Sequence, residues 1–298
     1  MRVSSVLFAV VALVLVISLV CIWFYPSIED FMASNTMWNG IRDFSLEFNA
    51  DNIDSLDDLP EIPEEAVLVS IPYLEYRDTE LSAIKRFIED GGTLLLMDDY
   101  GYGNGILSYL GLDARFSNRP LLDPLFCYRN QFMPRVTDFS PELREDGIAV
   151  LMLNNATALT SVAGSAVIAW SSSASFLDID ESGAREEGEA TGPFAVAAEY
   201  SLGRGKLVLV ADPSIIINTM VGRDDNYAFI AYLCRGEGGP KRVLIDRSHL
   251  TETPLDVSKS RLSQAREVMA SPPALLGITA MIFVVVSRYT LRKGESIV

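Results

Sequence analysis

What this chain has least of narrows its chemistry first. It carries one histidine, His249, and three cysteines among 298 residues. Zinc sites and Cys–His catalysis need clustered ligands, but Cys21 lies in an apolar run, and Cys127 and Cys234 stand far apart with no CxxC spacing. Two readings stay open for Cys127 and Cys234: a disulfide on an oxidising face, or two small buried side chains. Basic residues are scarce as well, since 24 Lys and Arg face 40 Asp and Glu for a formal net charge of −16. Nucleic-acid binding relies on clustered cations that release counterions, so this balance argues against a polyanionic partner. No internal repeat is visible.

Charge is missing altogether from residues 6–24, which form an apolar run long enough to cross roughly 30 Å of hydrocarbon as a helix. Trp23 and Tyr25 follow as interfacial aromatics, and Pro26 ends the helix. A cleaved signal peptide would have a shorter apolar stretch and small residues at its end; here the end is bulky, so residues 1–26 read as a retained anchor. A weaker apolar stretch, residues 271–290, reads as a second span, with residues 251–270 as a juxtamembrane linker or helix and 291–298 as a tail. Arg2 beside the first span and Arg288, Arg292 and Lys293 beside the second place both termini in the cytoplasm by the positive-inside rule. Residues 27–250 then form an extracytoplasmic domain of a two-pass cell-membrane protein.

Within that domain residues 27–43 suggest a helical lead-in, and acidic residues 51–65 a loop. Residues 67–71 and 93–97 are short apolar runs suited to buried parallel strands. Between them the spacing of Leu81, Ile84, Phe87 and Ile88 predicts a helix, with Asp78 as its cap and Gly91-Gly92 as its stop. Strand, helix and strand in that order imply a right-handed crossover. Residues 147–153 and 166–170 read as strands, and residues 171–193, rich in Ser, Gly and Glu, as a solvated mobile loop. Residues 194–200 and 206–211 flank a hairpin turn at Leu202-Gly-Arg-Gly205. Asp212-Pro213 then starts a helix, residues 224–234 form another with Tyr227, Ile230, Ala231 and Cys234 on one face, and residues 243–246 are a last strand. The fold class is α/β: a mainly parallel, flavodoxin-like sheet with flanking helices and a β-hairpin excursion.

Two segments carry a family resemblance: Phe87-Ile-Glu-Asp-Gly-Gly-Thr-Leu-Leu-Leu-Met-Asp-Asp-Tyr-Gly-Tyr-Gly-Asn104 and Gly203-Arg-Gly-Lys-Leu-Val-Leu-Val-Ala-Asp-Pro-Ser-Ile-Ile-Ile-Asn218. The chain resembles membrane proteins grouped as domain of unknown function 4350 over about residues 36–250. That group is similar to the auxiliary component of gliding-motility ABC transporters and implies a class I glutamine-amidotransferase-like fold. Asp225-Asn226 and residues 246–249 also sit where the group has such residues. The resemblance implies a fold and a membrane setting among other membrane proteins, not a reaction.

Amidotransferase chemistry needs a thiolate on a sharp strand-to-helix turn and a histidine base. Asp98-Asp99-Tyr100 follow the relevant strand instead, and Cys127 lies between bulky neighbours, so no catalytic residue is assigned and no cofactor is called for. The glycines at 101, 103 and 105 lack phosphate-loop spacing and suit a tight turn. In an open parallel sheet the C-terminal strand ends line one crevice where ligands bind. Asp98, Asp99, Tyr100, Asn104, Asp212 and Asn218 are therefore the candidate small-molecule or partner-binding residues. Asp98 and Asp212, with His249 as a possible third, are weaker metal candidates. Helix capping explains Asp212-Pro213 completely and extends to Asp98 or Asp99, and it is the favoured reading of these carboxylates over a metal site. Two functions remain in play: a non-catalytic binding component of a membrane or cell-envelope, transporter-like assembly, and a metal-dependent hydrolase built on Asp98, Asp99 and Asp212.

Overall fold

A computed structural model describes residues 3–236, 238–251, 253–277, 279–281, 283 and 284. The chain divides into two compact units, Pro26–Thr251 and a unit of Met1–Tyr25 with Glu252–Val298.

The smaller unit begins with α1 (Val3–Phe24), whose apolar span Val6–Phe24 is the one described helix long and apolar enough to cross a membrane. A signal sequence meets the same test of length and composition. A second apolar helix, Pro272–Met281, falls short of a crossing length among the described residues. Residues 278, 282 and 285–290 of the expected span 271–290, the tail, and Arg2, Arg288, Arg292 and Lys293 lie outside the described residues.

In the larger unit, β1 (Asp51–Ile53), β2 (Ala66–Ser70), α3 (Asp78–Glu89, after the short α2, Arg42–Glu47) and β3 (Thr93–Met97) come first. They are followed by α4 (Asn104–Tyr109), β4 (Asp138–Phe139), β5 (Val167–Trp170), β6 (Ala195–Leu202), β7 (Gly205–Val210), α5 (Asn226–Leu233) and β8 (Arg242–Asp246). The sheet order is β1-β8-β2-β3-β7-β6-β5-β4, with pairs Arg115–Phe116 and Leu159–Thr160 branching from β6. The five strands from β1 to β7 are mutually parallel, and β6, β5 and β4 extend the sheet antiparallel. The architecture is thus a mixed α/β sheet whose central part is parallel.

Alternation along the central strands builds two cores. Val67, Val69, Leu95, Met97, Val208, Val210, Val243 and Ile245 face Phe44, Phe229, Ile230 and Ile215–217 on one side. Leu68, Leu94, Leu96, Leu207, Leu209 and Leu244 face Ile84, Phe87, Ile88, Ile106 and Leu107 on the other. Burial on both faces explains why these strands read as unbroken apolar runs.

Several local expectations need correction. The capping residue of α3 is Arg77, not Asp78: its backbone N–H donates to Glu80 Oε2 at 2.8 Å, so the reach-back carboxylate, not an Asp cap, organises the first turn. Residues 51–53 are a strand because Asp51, Asn52 and Ile53 add parallel to β8 at the sheet edge. Residues 27–41 are irregular, and helix begins only at Arg42. Asp212-Pro213 opens a single 3-10 turn, Pro213–Ile216. The buried face of α5 is Asn226, Phe229, Ile230 and Leu233, with Tyr227 exposed. Residues 171–193 are no uniform solvated loop: Ser171, Ser175, Phe176, Leu177 and Asp178 are buried, and Phe176–Leu177 pairs with Leu121–Leu122. All three cysteines are free, and burial pushes the Cys234 thiol up to about 12.

The β6–β7 turn is pinned to the end of α3, where Arg204 N donates to Glu89 O at 3.1 Å and Lys206 N to Gly92 O at 3.1 Å. A Cβ on Gly205 would lie 2.2 Å from Gly92 O and 2.3 Å from Ile88 O, both backbone atoms that cannot swing aside. Gly205→Ala is therefore expected to destabilise the domain by about 1–3 kcal/mol. A thermal melt of the variant matching that of the unaltered protein would show that this contact yields.

Candidate functional site

The carboxyl ends of β8, β2, β3 and β7 emerge side by side, and each carries polar residues into the loop that follows. Asp98, at the end of β3, is 1% exposed and spent on its own turn. Its Oδ1 accepts from Tyr100 N at 2.8 Å and Gly101 N at 2.9 Å, and its Oδ2 from Gly103 N at 2.6 Å. Burial raises its pKa, and those N–H donors oppose the rise. The glycines at 101 and 103 thus serve this carboxylate, and a Cβ on Gly103 would come within 3.0 Å of Asp98 Oδ2.

Asp212, at the end of β7, is fully buried and caps the turn that follows: Oδ1 accepts from Ser214 N at 2.8 Å and Oδ2 from Asn154 N at 2.6 Å. Burial pushes its pKa up to about 8, against those two donors. Because both oxygens accept backbone N–H groups, Asn is a poor replacement here; its amide nitrogen would face one of the two donors. Asn104 is spent likewise, exchanging bonds with Phe116 N at 2.9 Å and Phe116 O at 3.0 Å. Asn218 accepts from Asp43 N at 2.9 Å and donates to Met37 O and Asn35 O, stapling the lead-in segment to the domain. Asp225 accepts from Ala149 N and Val150 N, and Asn226 bonds Met152 and Met220.

Asp99 and Tyr100 differ from these. Asp99 is only partly buried, and burial followed by the charge of Asp98 pushes its carboxyl up to about 7, with Asp30 adding to the rise. Tyr100 is 53% exposed and its ring lies 5.6 Å from that of Tyr73, which in turn lies 6.0 Å from Phe31. Burial, then the Asp99 charge, raises the Tyr73 phenol far above its ordinary range. The end of β3 thus carries a half-buried carboxyl group that is readily protonated, next to a row of aromatic rings, Tyr100, Tyr73 and Phe31.

His249 joins a different cluster from Asp98 and Asp212. Nδ1 lies 2.8 Å from Asp246 Oδ2 and Nε2 lies 3.4 Å from Glu80 Oε2, while the Tyr76 ring stacks on the imidazole at 3.7 Å. Tyr76 and Ser70 hydrogen-bond each other and approach Asp246. Burial pulls the His249 pKa down, but Asp246 and Glu80 outweigh it and the net shift is upward. Glu80 is held down to about 2, first by its bond to the Arg77 guanidinium. With both ring nitrogens facing carboxylates, the His249 side chain acts as a strap between β8, α3 and the loop after β2, whose Tyr73 N donates to His249 O at 2.9 Å. Tyr76, Ser70 and Glu80 went unnoticed in the sequence because their roles arise from long-range contacts.

Asp98, Asp99 and Asp212 do not form a metal-type cluster. Among the described residues, the three acidic groups whose ligand oxygens all lie within 4.8 Å of one another are Asp178, Asp180 and Glu189. These also escaped the sequence reading, although their signal was present: Asp, Asp and Glu at relative positions one, three and twelve.

Comparison with solved structures returns distant likenesses. The "mmIFT52 N-terminal domain" is 15% identical with a TM-score of 0.46, covering 62% of this chain and 83% of that one. A "beta-galactosidase from Bacillus circulans sp. alkalophilus" gives 16% identity and a TM-score of 0.37, covering 59% of this chain and 23% of that one. The "Exo-beta-1,4-mannosidase Op5Man5 from Opitutaceae bacterium strain TAV5" gives 10% and 0.32, with 60% and 26% covered. No curated protein matches the chain. A family profile described as "Domain of unknown function (DUF4350)" matches residues 33–234, more than half of the sequence, and the chain belongs to that family.

Proposed function

We propose that the domain is a non-catalytic binding module of a membrane or cell-envelope assembly, transporter-like in kind, and that it holds its ligand or partner at Asp99 and Tyr100. The observation that carries this reading is how the strand-end polar groups are spent. Asp98, Asp212, Asn104 and Asn218 serve backbone groups, which leaves Asp99 open beside Tyr100 and Tyr73. A single carboxyl next to aromatic faces suits a neutral hydroxylated or peptide ligand, which stacks and donates hydrogen bonds. General acid–base hydrolysis would call for a second, convergent carboxylate or an activated nucleophile. In this reading α1 is a retained anchor, residues 271–290 form the second span, and the domain lies outside with both termini in the cytoplasm.

Three outcomes follow. When the full-length protein is purified from its native membrane, Tyr100→Ala and Asp99→Asn should each reduce co-purifying membrane partners at least fivefold with the fold intact. Equal recovery would move the binding surface elsewhere. Protease added outside intact cells should cut at the exposed Arg185, while reporters at either terminus stay cytoplasmic; protection of Arg185 would invert the topology.

The third outcome is a pH dependence set by Asp99, whose folded pKa of about 7 lies above that of the unfolded chain. Below about pH 4 both states are protonated and Asp99 costs nothing. Between about 4 and 7 only the unfolded chain ionises, so stability falls as pH rises, by about 1–3 kcal/mol over the window. Asp99→Asn should flatten that part of the slope, leaving the part due to Asp212, which has the same sign. An unchanged slope in the variant would show that Asp99 ionises normally in the folded protein.

A further inference from the structure

The segment between Leu177 and Ala190 holds six acidic residues: Asp178, Asp180, Glu181, Glu186, Glu187 and Glu189. An acidic run of this kind is ordinarily a solvated surface whose charges keep apart. Here three of the six bring their oxygens within 4.8 Å of one another: Asp178, Asp180 and Glu189. Glu181 and Glu187, equally acidic and interleaved with them, are not among the three.

The sequence alone, without any coordinates, singles out the same residues. Asp178-Ile-Asp-Glu-Ser-Gly-Ala-Arg-Glu-Glu-Gly-Glu189 matches the twelve-residue calcium-loop register. Oxygen side chains stand at positions one, three and five, glycine at six, a backbone carbonyl is offered at seven, and glutamates stand at nine and twelve. Ser182 at position five replaces the usual Asp or Asn with a neutral hydroxyl. The converging carboxylates occupy positions one, three and twelve, so register and fold make one selection by independent routes.

Charge balance points the same way. Asp178 is 1% exposed, and its oxygens accept from Ser182 N at 3.1 Å and Gly183 N at 2.8 Å, while those of Glu189 accept from Ile179 N at 2.8 Å and Glu186 N at 3.0 Å. A carboxylate oxygen keeps further lone pairs beside one such bond, and it is convergence that distinguishes these groups from Asp98 and Asp212. Among the described residues no Lys or Arg forms an ion pair with Asp178, Asp180 or Glu189. The nearby Arg119 guanidinium is engaged by the Ile179 carbonyl at 3.1 Å. A buried carboxylate beside two others lacks a countercharge that a divalent cation would supply. The Ser182 hydroxyl donates to Ala184 O at 3.0 Å, which puts the oxygens of positions five and seven side by side. Leu177 N donates to Ala190 O at 3.2 Å, so the two ends of the loop are tied just outside positions one and twelve.

We propose that residues 178–189 form a calcium-binding loop, in which Asp178, Asp180, Ser182 and Glu189 ligate through side chains and Ala184 through its carbonyl. All these donors are hard oxygens, which suits Ca²⁺; Mg²⁺ needs a smaller, near-octahedral set and sheds water reluctantly. The site shares no residue with Asp99 and Tyr100 and stands whether or not they bind anything.

The test is calorimetric titration of CaCl₂ into the full-length protein, purified in detergent and stripped with chelator. One Ca²⁺ per chain is expected with Kd of about 0.1–1 mM, the range of extracellular modules. Mg²⁺ should bind at least tenfold more weakly. Asp180→Asn and Glu189→Gln should each weaken Ca²⁺ binding at least tenfold, and Glu187→Gln should leave it unchanged. Trypsin cleavage after Arg185 provides a readout independent of heat: Ca²⁺ should slow it severalfold in the unaltered protein and not in Glu189→Gln. Cleavage elsewhere in the domain reports whether a variant has folded. A titration without saturation to 10 mM, with cleavage at Arg185 indifferent to Ca²⁺, overturns the proposal. So does binding that survives both ligand substitutions, or that falls as far with Glu187→Gln, which is the behaviour of a diffuse acidic surface.

Discussion

The constraint on which the rest depends is the burial of the central parallel strands on both faces. Strands β2 and β3 are five residues each and wholly buried, so the chain leaves the sheet from deep inside the protein. Backbone N–H groups in the turns that follow are buried or half-buried and need acceptors nearby. Carboxylates at the strand ends provide them: Asp98 takes three N–H groups and Asp212 takes two. Asp246 plays a related part at the end of β8, accepting from Ser248 N and holding His249. What looks in sequence like a row of acidic ligands is in large measure the anchoring of turns to a deep sheet, and this is what sets Asp99 apart.

The same physics decides how much could be read from residues alone. Strands β2, β3 and β7 were legible because double-sided burial demands continuous apolar runs, and the hairpin because Gly203 and Gly205 mark its turn. β1 was not, since Asp51 and Asn52 sit exposed at a sheet edge and carry no apolar signature. The face of α5 was misassigned because Asn226 is buried through hydrogen bonds to Met152 and Met220 rather than through hydrophobicity. Arg77 and Glu80 displaced Asp78 at the start of α3 through a backbone bond that no propensity scale ranks. At the candidate site, Asp99 and Tyr100 could be named from their position after β3. Phe31 and Tyr73 could not, as they reach it from distant parts of the chain. Composition also hid residues 178–189: counting Ser, Gly and Glu describes a loop, whereas the spacing of its acids describes a site.

The pinned turn at Gly205 and the His249 strap tie together parts of the chain that are remote in sequence. The first joins the end of α3 to the β6–β7 hairpin, and the second joins β8 to the start of α3. α3 is thereby held at both ends by segments more than a hundred residues away. Its amphipathic face, with Ile84, Phe87 and Ile88 buried, does not have to hold it in place alone.

The borders of the large sheet carry a consequence of their own. One border is β1, three residues long, and the other is β4, only two. An open sheet edge is a template on which another chain can add a strand, and long flat edges are where β proteins aggregate. Here the unpaired borders are too short to hold a neighbouring strand in register. The domain thus keeps its most extensive β surface out of reach of its own copies.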